Sequence, residues 1–360
     1  MCYYSKKGTA NCSKEYIKRK FVSAILNKNS FTFLFFSLFV TTIKKTSCRL
    51  MNEIKIVNCP VCSNTNNTSY ITTNALMHEQ NNERYEFKKC ISCKSVFLSN
   101  PVKESDLNNY YTNNYLPYKG VAAWGKYKFF VTKSQQNIDL KRVKVVANNT
   151  KNKKSFSILD VGCGNPSFLN AIQKNLHADC TGIDFSDNGW KDNNFVNLSL
   201  FKSSIANFNP NQKFDVITLW HYLEHDYNLQ ETIEKLFCCL NPKGKLIIEV
   251  PDYNTILVKR QKQFWQGWHS PRHLTLFSKE GFRQLFTPDK WSIVKHERYG
   301  TLDAFTLWWL GKMEKKNIDW SGSMEGRFWQ LVFLKIISFP FFLFEKVIPM
   351  GIQMIILEKK

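Results

Sequence analysis

Between Ser157 and Val250 the chain alternates short apolar runs with stretches in which apolar residues recur at helical spacing. Ser157–Val161, Cys180–Asp184, Phe214–Trp220 and Lys245–Val250 read as strands, because such runs, bounded by turn residues, show little polar face to water. Ser167–Leu176 and Leu229–Leu240 read as helices; in the second, Leu229, Ile233, Leu236, Phe237 and Leu240 share one buried face. A helix through Phe129–Val146 leads into this region, and the Asn-rich stretch 187–208 is left unassigned by its pattern. The alternation predicts an α/β fold, a mostly parallel sheet with helices on both faces.

The first strand ends in Leu159-Asp160-Val161-Gly162-Cys163-Gly164 and runs straight into a helix. Glycines are needed at such a turn where a ligand must approach bare backbone. The next strand ends in Gly182-Ile183-Asp184, which places a carboxylate where nucleoside-binding folds accept ribose hydroxyls. A nucleoside site outweighs a purely structural turn, since the strand, turn, helix and acid occur in register.

These residues resemble the first motif of class I S-adenosylmethionine (SAM)-dependent methyltransferases. Further likenesses follow in that family's order: Phe214-Asp215-Val216-Ile217, Leu223-Glu224-His225, Leu240-Asn241-Pro242-Lys243-Gly244 and Pro271-Arg272-His273-Leu274 with Phe277-Ser278. The last resembles a stretch found in a bacterial branch that carries an N-terminal four-cysteine zinc ribbon. The chain departs from the family pattern at Pro166, where a third glycine is frequent, and at Lys243. Proline suits the first turn of a helix, so the cofactor turn is expected to survive. The resemblance implies a Rossmann-like methyltransferase sheet that binds SAM. Gly162 and Gly164 would approach the methionine part, Asp160 its amino group or a nearby turn, and Asp184 the ribose. Leu219 and Trp220 would flank the cofactor, with Ser203 or Ser204 toward the adenine.

Of the eleven cysteines, the eight that follow residue 50 divide into two kinds. Cys163, Cys180, Cys238 and Cys239 lie in strand or helix patterns and read as small core residues. Cys59 and Cys62 form one Cys-x-x-Cys knuckle, Cys90 and Cys93 another, and two knuckles complete a four-sulfur site for a structural zinc. Disulfides or unliganded thiols are the alternative. The expected organisation is a zinc ribbon over 51–101, a linker and helix over 102–150, and the methyltransferase domain over 151–360. Tyr110, Tyr111, Tyr115 and Tyr118 in the linker pack two modules together or line an entrance. Residues 1–50 differ from the rest. Their apolar run Phe31–Val40 is short for a membrane span, and Met51 precedes the first knuckle, so a mis-assigned start is favoured over a signal anchor.

The chain of 360 residues is strongly basic, with 50 Lys+Arg against 29 Asp+Glu and a net charge of +21. The charge is spread rather than blocked. It suits an anionic membrane or a phosphorylated or nucleotide-linked substrate, or only reflects Lys- and Asn-rich codon usage. The resemblance implies a third strand near Leu198–Lys202 and an antiparallel pair, Trp291–Glu297 with Gly351–Leu357, that closes the methyltransferase sheet. Between them lies an apolar helical insertion at about 303–348, most intense over Phe328–Phe344 and interrupted by Lys335 and Pro340. A simple span is disfavoured; a lid, a homodimer contact or a peripheral membrane contact remain.

Methyl transfer requires alignment and often removal of a proton. His225 is the candidate base with Glu224 orienting it, and His273 belongs to a second polar group beside Arg272, His269, Trp265 and Trp268. The alternative is that Glu224 and His225 only pack the start of the next helix. In the second group Arg272 would hold an anionic acceptor while the tryptophans stack on a ring, or the loop is merely stabilising. The reading favoured is a cytoplasmic methyltransferase acting on a small-molecule or saccharide hydroxyl, with carbon methylation through an enediolate left open. A non-catalytic module for assembly or membrane docking is the alternative. A nucleic-acid acceptor is disfavoured, because no Asn/Asp-Pro-Pro-Tyr-like motif is present.

Overall fold

The computed structural model describes residues 57–78, 83–111, 116–151, 153–191 and 195–360. The expectations for residues 1–50, Met51 and Tyr115 lie outside them. Val57–Lys360 forms one compact unit. Its first strands are β1 (Asn67–Thr73), β2 (Tyr85–Cys90) and β3 (Val96–Leu98), antiparallel in that order; the Cys59–Cys62 knuckle lies in a turn ahead of β1, and the Cys90–Cys93 knuckle at the β2–β3 turn. After a polar stretch of short turns comes α1 (Lys128–Asn149), which buries Val143 and Val146 against the α/β core.

The core alternates as expected: β4 (Ser157–Val161), α2 (Ser167–Leu176), β5 (Asp179–Asp184), β6 (Leu198–Lys202), β7 (Phe214–Trp220), α3 (Leu229–Cys239) and β8 (Leu240–Pro251). There follow α4 (Ile256–Gln261), β9 (Thr275–Leu276), α5 (Lys279–Leu285), β10 (Trp291–Glu297), α6 (Ala304–Lys315), α7 (Phe328–Phe342) and β11 (Ile352–Lys359). The main sheet has the order β10-β11-β8-β7-β4-β5-β6. Strands β4 to β8 pair in parallel, and β10 and β11 close one edge antiparallel. Side chains alternate across the sheet. Leu159, Ile217 and Leu219 enter one core layer, while Ile158, Val216 and Trp220 enter the other with Phe168 and Ile172 of α2.

The cysteine-bearing strands share more than a boundary with this sheet. Strand β9 pairs with β3, matching Val96 to Leu276 and Phe97 to Thr275, so the small sheet is completed by the segment that follows His273. Ser278 donates from Oγ to the Cys93 carbonyl and caps α5 by accepting from Gly281 N at 2.8 Å. Cys59, Cys90 and Cys93 lie in the same buried cluster as Leu159 and Phe277.

The insertion forms α6 and α7. Pro340 sits inside α7 without ending it, and Glu325–Lys346 makes a continuous helical segment of 22 residues, long and apolar enough by composition to cross a membrane. Only 6% of its most apolar window is buried.

Candidate active site

At the carboxyl end of β4 the chain turns through Gly162 and Gly164, both with left-handed φ, +74° and +49°. Gly162 N and Cys163 N donate to Ile183 O at 2.8 and 3.1 Å, binding the turn to β5. A Cβ on Gly162 would lie 2.5 Å from Tyr222 Cδ2, so glycine is required by contact as well as by conformation. The Asp184 carboxylate accepts from Gly164 N at 2.9 Å and Ser186 N at 3.0 Å. Burial raises its pKa despite those bonds, and each oxygen keeps a lone pair for a ligand hydroxyl. Pro166 precedes α2, and its carbonyl accepts from Asn170 N at 3.0 Å, as its position at a helix start allows.

Asp160 is buried and accepts from Thr218 Oγ1 at 2.6 Å across the β4–β7 pair. Burial, partly offset by that bond, pushes its carboxyl up to about 7. It therefore braces the strand ends beneath the turn. Leu219 and Trp220 point to opposite core layers, and the Trp220 indole lies under the Arg142 guanidinium, 4.8 Å from the ring centre. Ser203 N donates to Asp184 O at 2.9 Å, tying the end of β6 to the same crevice.

Beyond β7 the turn Leu223–His225 delivers Glu224 and His225, and the loop before β9 brings His273 to them. The His225 and His273 rings meet edge-on with centroids 4.5 Å apart. His225 Nδ1 donates to Arg272 O at 3.0 Å and His273 Nδ1 to Gly267 O at 2.8 Å. Each ring thus keeps its Nε2 lone pair, and burial lowers both pKa values, so both are neutral at pH 7. Glu224 is fully buried, and neither of its oxygens accepts an aligned hydrogen bond from the described residues. His273 Nε2 stands 3.9 Å from Glu224 Oε1. Ligand atoms of the three residues all fall within 4.8 Å of one another. A carboxylate and two imidazole lone pairs only accept, so the set is complementary to ligand hydroxyls or to a cation.

His221 carries the opposite charge beside them. It has φ +56° and lies between Glu249, 3.1 Å from Nε2, and Glu224, 3.5 Å from Nδ1. Burial would lower its pKa, but the two carboxylates outweigh it and raise the value to about 9. Burial opposes ionisation of Glu249, yet His221 and the Thr301 amide hold it down to about 2. His221 and Glu249 are therefore a charged brace joining β7, β8 and the Thr301 loop.

Of the two readings of the second polar group, the structure supports the stabilising loop. The Arg272 side chain is fully buried and donates to three backbone carbonyls, those of Tyr110 at 2.6 Å, Leu76 at 2.8 Å and Met77 at 3.3 Å. Trp265 and Trp268 are likewise fully buried, packed edge to face at 5.2 Å. Arg272 clasps the small sheet and the linker, and the tryptophans offer no open face to a sugar ring. Of this group, His273 joins the cluster with Glu224 and His225. The linker supplies Tyr111, one of the tyrosines read as packing two modules or lining an entrance: its Oη lies 3.2 Å from His225 Nδ1, and its ring meets Phe185 at 5.8 Å, one residue past Asp184. Tyr111 thereby spans the acceptor-only cluster and the cofactor crevice.

The four knuckle sulfurs converge at the other end of the small sheet. Cys59 and Cys93 Sγ are 3.5 Å apart, as are Cys62 and Cys90 Sγ, and all four lie within 4.8 Å of one another. These separations are far beyond a disulfide bond and close to the roughly 3.8 Å edge of a tetrahedron with zinc–sulfur bonds of about 2.3 Å. The donor set fits a closed structural ion.

Residues 135–291 match the family described as a methyltransferase domain. No curated protein matches the chain. Among solved structures it is similar to coclaurine N-methyltransferase bound to N-methylheliamine and SAH, at 14% identity over 62% of this chain and 72% of that one, TM-score 0.42. It is similar also to the N-methyltransferase NodS from Bradyrhizobium japonicum in complex with SAH, at 11% identity over 69% and 99%, TM-score 0.40. A third is the cyclopropane synthase MmaA2 from Mycobacterium tuberculosis, at 14% identity over 61% and 84%, TM-score 0.42.

Proposed function

We propose that this chain, a SAM-dependent methyltransferase by its domain, methylates a hydroxyl of a saccharide or similar small polyol, free or nucleotide-linked. The observation that carries the reading is the acceptor-only cluster of Glu224, His225 and His273, which needs hydrogen-bond donors from its ligand. Adjacent hydroxyls supply two such donors at the required spacing; a carboxylate or phosphate supplies none. Bound SAM provides an electrophilic methyl group on a sulfonium. The bare backbone at Gly164, where a Cβ would meet nothing within 4 Å, leaves room for it, and Asp184 takes its ribose hydroxyls. His225 Nε2 receives the proton of the reacting hydroxyl, because its Nδ1–H is already committed to Arg272 O. Glu224 holds the neighbouring hydroxyl and stabilises the imidazolium that forms. Tyr111 fixes the His225 ring from the cofactor side. The cysteine cluster holds a zinc ion that locks the β2–β3 turn on which β9, and hence His273, depends.

The test is release of S-adenosylhomocysteine in a screen of nucleotide sugars, lipid-linked sugars, free sugars and phenols. A saccharide substrate is expected, with His225→Ala lowering kcat by about 10²–10⁴ while leaving SAM binding intact. Because the His225 pKa is lowered, wild-type kcat should be flat through neutral pH and fall only in acid. Brief EDTA treatment should leave turnover unchanged, whereas a requirement for added divalent cation would make the cluster a metal site and overturn the base assignment. Full turnover by His225→Ala on the true acceptor would do the same.

A further inference from the structure

Helix α7 is seated on one face only. Phe328 is buried and stacks on Tyr127 with centroids 4.0 Å apart, and Phe342 meets Phe305 and Trp308 edge-on at 5.6 and 5.9 Å. The other face carries Trp329, Phe333, Ile336, Ile337 and, just beyond the helix, Leu343 and Val347, each 60–80% exposed. Their spacing keeps them on one stripe about five helical turns long. At about 150–250 Å² per large side chain, these six expose roughly 600–1,000 Å², beyond the 300–600 Å² of the largest patch on an ordinary soluble protein. Phe129 and Phe130 on the first turn of α1 extend it, Phe130 lying 5.6 Å from Phe328.

The charges around the stripe are one-sided. Phe328–Phe344 contains no acid. The acids at its ends are occupied: Glu325 pairs with Lys126 at 3.5 Å, Asp303 pairs with Lys335 at 2.8 Å, and Glu345 is half-buried near Asp303. Lys128, Lys133 and Lys346 stand exposed along the rim, and Lys133 lies over the Phe129 ring. An apolar stripe rimmed by lysines fits the interface of an anionic bilayer, where the side chains enter the acyl boundary and the lysines meet headgroups. A second copy of this chain fits poorly, since two faces rimmed by lysine on a chain of net charge +21 would meet with like charge. Crossing the bilayer would require α7 to leave Tyr127, Phe305 and Trp308, so the helix lies in the interface plane.

We infer that the exposed face of α7 and the first turn of α1 dock this enzyme on an anionic lipid surface. The test is co-sedimentation of the full chain with vesicles of phosphatidylcholine alone and of phosphatidylcholine with phosphatidylglycerol. Wild type is expected to sediment with the anionic vesicles and to be released by salt. Ile336→Asp and Val347→Asp, exposed and outside the reactive cluster, should each weaken partitioning at least tenfold while preserving circular dichroism and SAM binding. Lys128→Gln with Lys133→Gln should remove the preference for anionic lipid. Wild type that stays in the supernatant with both vesicles overturns the inference, as does undiminished binding by the Ile336→Asp, Val347→Asp double variant. A dimer in sedimentation velocity that Ile336→Asp dissociates, without vesicle binding, would assign the face to a second copy instead.

Discussion

The His221–Glu249 brace makes stability depend on pH in a direction opposite to that expected of acid-sensitive carboxylates. In the folded chain His221 is protonated up to about 9, whereas an unfolded histidine loses its proton near 6.5. Below the unfolded value both states bind the proton and the stabilisation is complete. As pH rises toward 9 only the folded state holds it, so unfolding releases a proton and stability falls by about 1.4 kcal/mol per unit. The total lost across the window is about 3 kcal/mol, equivalent to about 5 °C in Tm for a chain of this size. Glu249, held down to about 2, stays ionised throughout and adds nothing to the slope. The reference is the triple variant His221→Gln, Glu224→Gln, Glu249→Gln, which keeps the shapes and leaves no unpaired buried charge where His221 faced two carboxylates. Urea unfolding of both proteins from about pH 6 to about pH 9.5 isolates the brace, because every other titrating group is common to the two. The stability gap should shrink by about 3 kcal/mol as pH rises. A gap that stays constant would show that His221 is neutral in the folded state and that its contact with Glu249 is an ordinary hydrogen bond.

The remaining predictions concern the cofactor turn and the cysteine cluster. Wild-type protein should bind SAM with micromolar affinity in isothermal titration, and Asp184→Ala should weaken it about 10–100-fold, the loss expected for charge-assisted bonds; unchanged affinity would remove Asp184 from the site. Gly162→Ala forces a Cβ against Tyr222 at φ +74° and should cost about 1–3 kcal/mol by urea unfolding, a cost that an unaltered midpoint would disprove. Elemental analysis should find about one zinc per chain, lost in Cys59→Ser with Cys62→Ser; stoichiometric iron with visible absorbance, or no metal in reduced protein, would reassign the cluster.

What the sequence made legible follows from how each feature is encoded. Strands β4 and β7 and helix α2 lie where periodicity placed them, because burial on both faces of a parallel sheet leaves continuous apolar runs, whereas β6 is an exposed edge strand and only the family resemblance pointed to it. The glycine turn and Asp184 were legible for a similar reason, since left-handed backbone and a strand-end acid need particular residues. Strand β9 has two residues and no period, so its pairing with β3, which ties the cysteine turns to the His273 loop, left no local signal. Helix α7 was legible as apolar but not as exposed, because composition records hydrophobicity and not which face a neighbour covers. Arg272 shows the limit most clearly. An arginine between tryptophans and histidines has the same spelling whether it grips an anionic ligand or its own backbone. Here the choice is made by the Leu76, Met77 and Tyr110 carbonyls, more than 160 residues away. Their arrival buries the guanidinium, and its fixed backbone carbonyl then holds His225 Nδ1–H. Under the proposed function, Arg272 would reach the reacting hydroxyl only through the tautomer of His225, as a positioning residue.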